Sequence, residues 1–210
     1  PGDGGKGSAG RLPGIPMKRR SLLAAALCAL AGQAAGQSAH ELLLAEQNPS
    51  IIPRYLLQDP NGRSVSSEDF RGRFQLIAFG YTYCPDICPT TLAEMAGILQ
   101  HLGERAKHLQ AIFITVDPER DDLARIRQYL AAFDPSFIGG TGTPERLAAM
   151  RKRYGVVAEK IAQPQASAYG MNHSTSVWLI DRTGRLRAMM PYGHAAQDFV
   201  HDLRLLLAGR

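Results

Sequence analysis

Cys84 and Cys88 stand in the run Tyr81-Thr82-Tyr83-Cys84-Pro85-Asp86-Ile87-Cys88-Pro89, separated by three residues. Thiols at this spacing either make and break a disulfide or grip a soft metal ion. The third cysteine of the chain, Cys28, lies in a segment that reads as an export signal. With that segment removed, the pair is the whole thiol content of the mature protein. Pro89 suits the first turn of a helix, which places Cys88 at or just before a helix start. Amide dipoles at a helix start favour an anion and lower a thiol's pKa. A redox nucleophile and a soft-metal ligand both need that thiolate. An inert structural disulfide is the bland alternative, and a weak one, because so small a loop removes little entropy from the unfolded chain.

The elements that must position the pair follow from apolar patterning. Tyr55 to Gln58 runs into the turn Asp59-Pro60-Asn61-Gly62, so a hairpin opens the domain. Phe74 to Phe79 and Ala111 to Val116 read as strands buried on both faces. Leu92, Met95, Leu99 and Leu102 fall at helical spacing after the cysteines, and Gly103 ends that helix. Leu123, Ile126, Leu130 and Phe133 mark a second helix, ended by Asp134-Pro135. A third starts at Thr143-Pro144, a capping Thr before a proline at the first helical position. Ser176 to Asp181 and Arg185 to Met190 flank Arg182-Thr183-Gly184 as a hairpin. Phe199, Leu203 and Leu206 line a last helix. The expected class is α/β, a central mixed sheet flanked by helices with an N-terminal hairpin. The cysteines fall where a strand's carboxyl end meets the next helix, which is where α/β sheets build sites and where thioredoxin-like folds keep active thiols.

Thiol–disulfide proteins of that fold usually carry Cys-x-x-Cys. The extra residue here widens the sulfur spacing and suits a metal chelate at least as well as a facile disulfide. Those proteins also face the thiols with a cis-proline just before a later strand. The corresponding stretch, Ala168 to Thr175, is expected to be a loop and has no proline, but it contains His173. On a thioredoxin-like fold His173 would hang over Cys84 and Cys88. Two thiolates and a neutral imidazole suit Cu(I), with Cu(II) also possible. Zinc would accept the same donors but normally takes a fourth.

Around this trio the sequence offers supporting candidates. Asp86 lies between the cysteines, as a solvated carboxylate or a tuning group. The run Asp117-Pro118-Glu119-Arg120-Asp121-Asp122 follows a strand end, so it could border the site, with Asp117 as a possible tuning group, although a turn with an acidic helix start explains the run as well. Tyr81 and Tyr83 are expected to pack around the thiols, and Asn172 adjoins the histidine. His194, before the last helix, is a further histidine to watch. Met171, Met189 and Met190 read as packing.

Charge and the front end bound the setting. The net charge is +5, but Lys6, Arg11, Lys18, Arg19 and Arg20 face only Asp3 in the first 35 residues. Removing those five cations and one acid leaves +1, so no nucleic-acid partner is implied. Met17-Lys18-Arg19-Arg20, the apolar stretch Ser21 to Ala31 and the small residues after it have the anatomy of a signal peptide over 17–35. The apolar stretch is about half the ~20 residues that a membrane-crossing helix needs. Residues 1–16 read as an upstream or mis-called start, 36–52 as a polar lead-in and 53–210 as the folded domain. Periplasmic location after cleavage is expected, with an uncleaved inner-membrane anchor as the alternative. In that oxidising setting a close thiol pair tends toward a disulfide unless a reductant or a metal intervenes.

Phe79 to Pro89, Phe113 to Asp121 and His173-Ser174, taken in order, resemble the Sco/SenC family of copper-delivery proteins, over roughly residues 50 to 208. The resemblance implies a thioredoxin-like fold, with copper held by Cys84, Cys88 and His173. It also implies a part in building the dinuclear copper centre of cytochrome c oxidase, whose copper-bearing subunit would be the partner. A copper donor protein and a thiol reductant would be needed as well, and membrane contact would come only through the oxidase or an uncleaved signal. A thiol–disulfide reductase keeping that centre's cysteines reduced, with Cys84 and Cys88 as a redox-active disulfide, is the alternative; otherwise no enzyme activity is expected. Relatives often have Asp before the histidine. Asn172 makes this surface one charge less negative.

Overall fold

The computed structural model describes residues 53–162, 169–193 and 196–208. The segments read as an upstream start, a signal and a lead-in, together with Cys28 and His194, lie outside these residues.

A short antiparallel hairpin, β1 (Leu56–Gln58) and β2 (Ser64–Ser66), opens the domain. Its turn is fixed by Asp59, whose carboxylate accepts from the Asn61 and Arg63 amides and pairs with the Arg63 guanidinium at 2.7 Å. Then follow β3 (Phe74–Gly80), α1 (Ile87–Leu102), β4 (Leu109–Thr115), α2 (Leu123–Leu130), β5 (Ile138–Gly140) and α3 (Pro144–Tyr154). The chain continues with β6 (Ala158–Ile161), β7 (Gly170–His173), β8 (Val177–Ile180), β9 (Leu186–Met190) and α4 (Ala196–Leu207).

The main sheet has the order β5-β4-β3-β8-β9. β3, β4 and β5 are parallel; β8 lies antiparallel to β3, and β9 antiparallel to β8. Every residue of β3 and β4 is buried, as continuous apolar runs require when both sheet faces are covered. Side chains alternate across the sheet. Leu76 and Ala78 pack with Leu92, Met95 and Phe199 of α1 and α4, while Ile77 and Phe79 pack with Leu147, Met150 and Tyr154 of α3 and with Trp178. α1 ends at Gly103, whose φ of +54° favours a residue without a Cβ. α3 starts as expected, with the Thr143 side chain accepting from the Arg146 amide and Pro144 in the first turn.

Three strands, β5, β6 and β7, differ from the sequence expectation. β5 is a three-residue strand at the sheet edge. The stretch expected as a loop around His173 contains a strand, β7, paired antiparallel with β6 in a separate two-stranded ribbon. Among the described residues no helix is long and apolar enough to cross a membrane.

Candidate metal centre

The first half of the site forms where β3 runs out. Gly80 ends the strand against Cys88: a Cβ there would lie 2.9 Å from the Cys88 Sγ and 2.9 Å from the Phe113 ring. A side chain at position 80 would therefore take the sulfur's space. Beyond it, the Tyr81-Thr82-Tyr83 turn is held from below by Asp121, which is fully buried. Its carboxylate accepts from the Thr82 amide at 3.0 Å, from the Thr82 hydroxyl at 2.7 Å and from the Thr115 hydroxyl at 2.7 Å. Burial raises the Asp121 pKa, against the lowering effect of these bonds. The Arg125 Nε also donates to the Thr82 hydroxyl, at 3.1 Å.

α1 starts at Ile87, with Asp86 in the capping position, so Cys88 is the second helical residue rather than lying at or before the start. This changes which sulfur the helix end serves. The Cys88 amide donates to the Cys84 Sγ at 3.4 Å, and the Asp86 amide donates to the same sulfur. A hydrogen bond from the Cys88 thiol and those amides together lower the Cys84 pKa to about 4, despite partial burial. Cys88 is only 4% exposed, and its pKa is raised by its bond to Cys84 and by burial. The lowered pKa expected at Cys88 therefore falls on Cys84, the thiol that the helix-end amides face, whereas that of Cys88 is raised. Both cysteines are free thiols.

The second half arrives on β7. His173 Nε2 lies 3.2 Å from the Cys88 Sγ. Its Nδ1 lies 2.8 Å from the Ser174 carbonyl oxygen. A carbonyl only accepts, so Nδ1 donates there, and in the neutral imidazole it is Nε2, facing the sulfurs, that carries the lone pair. That tautomer is the one a metal ligand needs. The Tyr81 ring, 4% exposed, meets the imidazole edge-on with centroids 5.7 Å apart.

The donor atoms of Cys84, Cys88 and His173 all lie within 4.8 Å of one another. One ion could bridge them with small side-chain rotations. Among the described residues no further His, Cys, Asp or Glu joins the group. Two sulfurs and one imidazole nitrogen, without a fourth such donor, suit Cu(I) better than zinc, and the cluster fits a copper site.

The supporting candidates divide. Tyr81 packs on the trio, but Tyr83 does not: it is 52% exposed and lies under the Arg120 and Arg125 guanidiniums, 5.1 Å and 4.8 Å from its ring centre. Asp86 is exposed, and its carbonyl accepts from the Thr90 amide and hydroxyl. Asn172 is exposed on β7, on the strand face opposite to His173. Asp117 is buried one layer out, paired with Arg120 at 2.5 Å and accepting from the Tyr169 hydroxyl at 2.7 Å. Asp122 does what an acidic helix start would do, its side chain accepting from the Arg125 amide. Met171 and Met189 pack against the second core and Met190 in the first. The run Asp117 to Asp122 does border the site, through Asp117, Arg120 and Asp121, whereas sequence reasoning gave no role to Tyr169.

A family model described as SCO1/SenC matches residues 45–208. A putative copper-binding protein of Stutzerimonas stutzeri is 36% identical over 184 residues, covering 84% of this chain and 88% of that protein. Bradyrhizobium japonicum ScoI, solved with copper bound, is 37% identical and aligns at a TM-score of 0.68, over 74% of this chain and 99% of that one. BsSco, described as a member of the Sco family of cytochrome c oxidase assembly proteins, is 20% identical and aligns at a TM-score of 0.62, over 79% of this chain and 98% of that one. The fold is thus thioredoxin-like.

Proposed function

The chain belongs to the SCO1/SenC family, and on that premise we propose that it is an exported copper metallochaperone. Cys84, Cys88 and His173 would take up Cu(I) and deliver it to the dinuclear copper site of cytochrome c oxidase. The observation that carries this reading is the convergence of three donors: the sulfurs of Cys84 and Cys88 and a ring nitrogen of His173 lie within 4.8 Å of one another. Delivery would proceed by ligand exchange. An incoming thiolate from the acceptor enters on the exposed side, the neutral imidazole leaves without charge separation, and the two sulfurs are replaced in turn. Export to the periplasm rests on the signal-like segment 17–35, and a copper donor and a thiol reductant complete the cycle. An uncleaved, membrane-anchored form would present the same site.

One observation favours a second reading, a thiol–disulfide reductase acting on the acceptor's cysteines. Cys84 is half-exposed and its pKa is lowered to about 4, whereas Cys88 is buried and protonated. That is the asymmetry of an attacking thiol and a resolving thiol. The Cys84 thiolate would attack a disulfide sulfur of the acceptor and expel one thiolate. Cys88, losing its proton, would then break the mixed disulfide, leaving both acceptor cysteines reduced and Cys84–Cys88 oxidised.

Anaerobic Cu(I) titration of the reduced protein and of His173→Ala, with a disulfide-exchange assay on both, separates the readings. The metallochaperone requires one Cu(I) bound per chain and a clear loss of affinity in the variant, which lacks one of the three donors. Unchanged affinity removes His173 from the site. Exchange activity that survives in metal-free His173→Ala, together with intact oxidase assembly, makes thiol chemistry the function.

A further inference from the structure

The ribbon β6–β7 that carries His173 shares no strand pairing with the five-stranded sheet that carries the cysteines. Apart from the three-residue link from His173 to β8, contacts between side chains must set the distance between imidazole and sulfurs. The strongest tie centres on Arg120. Its Nε donates to Asp117 Oδ2 at 2.5 Å, and its Nη1 donates to the carbonyl of Tyr169, the residue just before β7, at 2.8 Å. The Tyr169 hydroxyl returns to Asp117 Oδ1 at 2.7 Å, and its ring lies 3.8 Å from the guanidinium carbon. The Tyr83 and Tyr81 rings flank the same group at 5.1 Å and 5.7 Å. From Asp117 the bonds continue inward: its amide donates to the Thr115 hydroxyl at 2.9 Å, which donates to Asp121, which holds Thr82 two residues before Cys84. One hydrogen-bonded chain thus joins the segment bearing the imidazole to the turn bearing the sulfurs.

We propose that Arg120 is the positioning residue of the metal site, clamping Tyr169 to Asp117 so that β7 holds His173 over Cys84 and Cys88. This rests on the copper-binding reading of the trio. The guanidinium suits the task because its planar fork reaches a carboxylate and a carbonyl at once while stacking on an aromatic face. A buried ion pair that merely stabilises the fold would look similar in a list of contacts, so the test must ask whether Arg120 acts through the imidazole.

The experiment is competition for Cu(I) against a chromophoric chelator, on the full reduced chain without oxygen. It uses wild type, Arg120→Met, His173→Ala and the double variant. Arg120→Met is expected to weaken Cu(I) binding by about 10- to 100-fold, the range found when groups that orient metal ligands are removed. In the His173→Ala background the same change is expected to cost nothing further. Arg120→Lys, which keeps the charge but not the fork, is expected to lose affinity like the Met variant. Where Arg120→Met does not fold, Tyr169→Phe takes its place. That change removes only the hydroxyl's bond to Asp117, and a smaller loss, again absent without His173, is expected. Wild-type affinity in the clamp variants, or an equal loss in both backgrounds, overturns the clamp and leaves the copper site standing. Unchanged binding in His173→Ala overturns the copper reading and the clamp with it.

Discussion

His173 Nε2 sits 3.2 Å from Cys88 Sγ although 85 positions separate the two residues. The buried sulfur faces the imidazole in this contact. The Cys88 thiol hydrogen therefore has two acceptors within reach, Cys84 Sγ and His173 Nε2.

Copper uptake should displace that proton. With the Cys84 pKa lowered to about 4 and that of Cys88 raised, binding Cu(I) through both sulfurs at neutral pH should release about one proton from the pair. Calorimetry in buffers of different ionisation enthalpy is expected to report about one proton per ion, and affinity should rise about tenfold per pH unit through the neutral range. Proton release near two would show that Cys84 is not ionised beforehand.

Alkylation should tell the two thiols apart. With its pKa lowered to about 4, Cys84 should react with iodoacetamide at a rate nearly constant from about pH 6 to pH 8, because the reactive thiolate is already fully formed there. Cys88 should lag far behind at every pH in that range. Peptide mapping by mass spectrometry after brief labelling checks the order, and preferential labelling of Cys88 would reverse the assignment.

Two glycines make a contrasting pair. Gly80→Ala drives a methyl into the Cys88 sulfur and the Phe113 ring, and should cost about 1–3 kcal/mol as well as weakening metal binding. Gly97 lies within α1 with nothing within 4 Å of the added Cβ, so Gly97→Ala should stabilise by about 0.5–1 kcal/mol and leave binding unchanged. Urea denaturation measures both.

Asp121 should leave a signature in the pH dependence of stability. Its folded pKa is raised by burial, so the unfolded chain ionises it more easily than the folded one. The stability it contributes is therefore greatest below the ordinary carboxylate range and declines as pH rises through its raised value. The stability of wild type relative to Asp121→Asn is expected to fall over that window, measured by urea melts from acid to neutral pH. A difference that grows with pH would mean that the carboxylate is stabilised as an anion.

The frame of this domain was legible wherever burial on two faces left a continuous apolar run, as in β3 and β4, or wherever capping chemistry was local, as at Thr143 and Gly103. The elements that stayed hidden are those shaped by distant neighbours. β5 is three residues long and two of them are Gly139 and Gly140, because Ile126 and Leu130 occupy the space of one Cβ and Leu57 that of the other. β7 is short and only partly buried, so Gly170 to His173 shows no strand alternation. The cysteine pair and His173 could be singled out by residue type. The ionised sulfur could not, because it depends on which thiol the helix-end amides happen to face. Nor could Asp117, Arg120 and Asp121 be told from a solvated turn, since their partners Tyr169 and Thr82 lie dozens of positions away.

The separateness of the β6–β7 ribbon has a thermodynamic consequence. Peeling it away breaks none of the main ladder's hydrogen bonds, only the Arg120–Tyr169–Asp117 clamp and the ribbon's own packing, so it should cost less than unfolding the whole domain. The sulfurs stay moored to the rigid rim while the nitrogen rides on a door. An ion lodged between them has an exit that does not require the domain to melt.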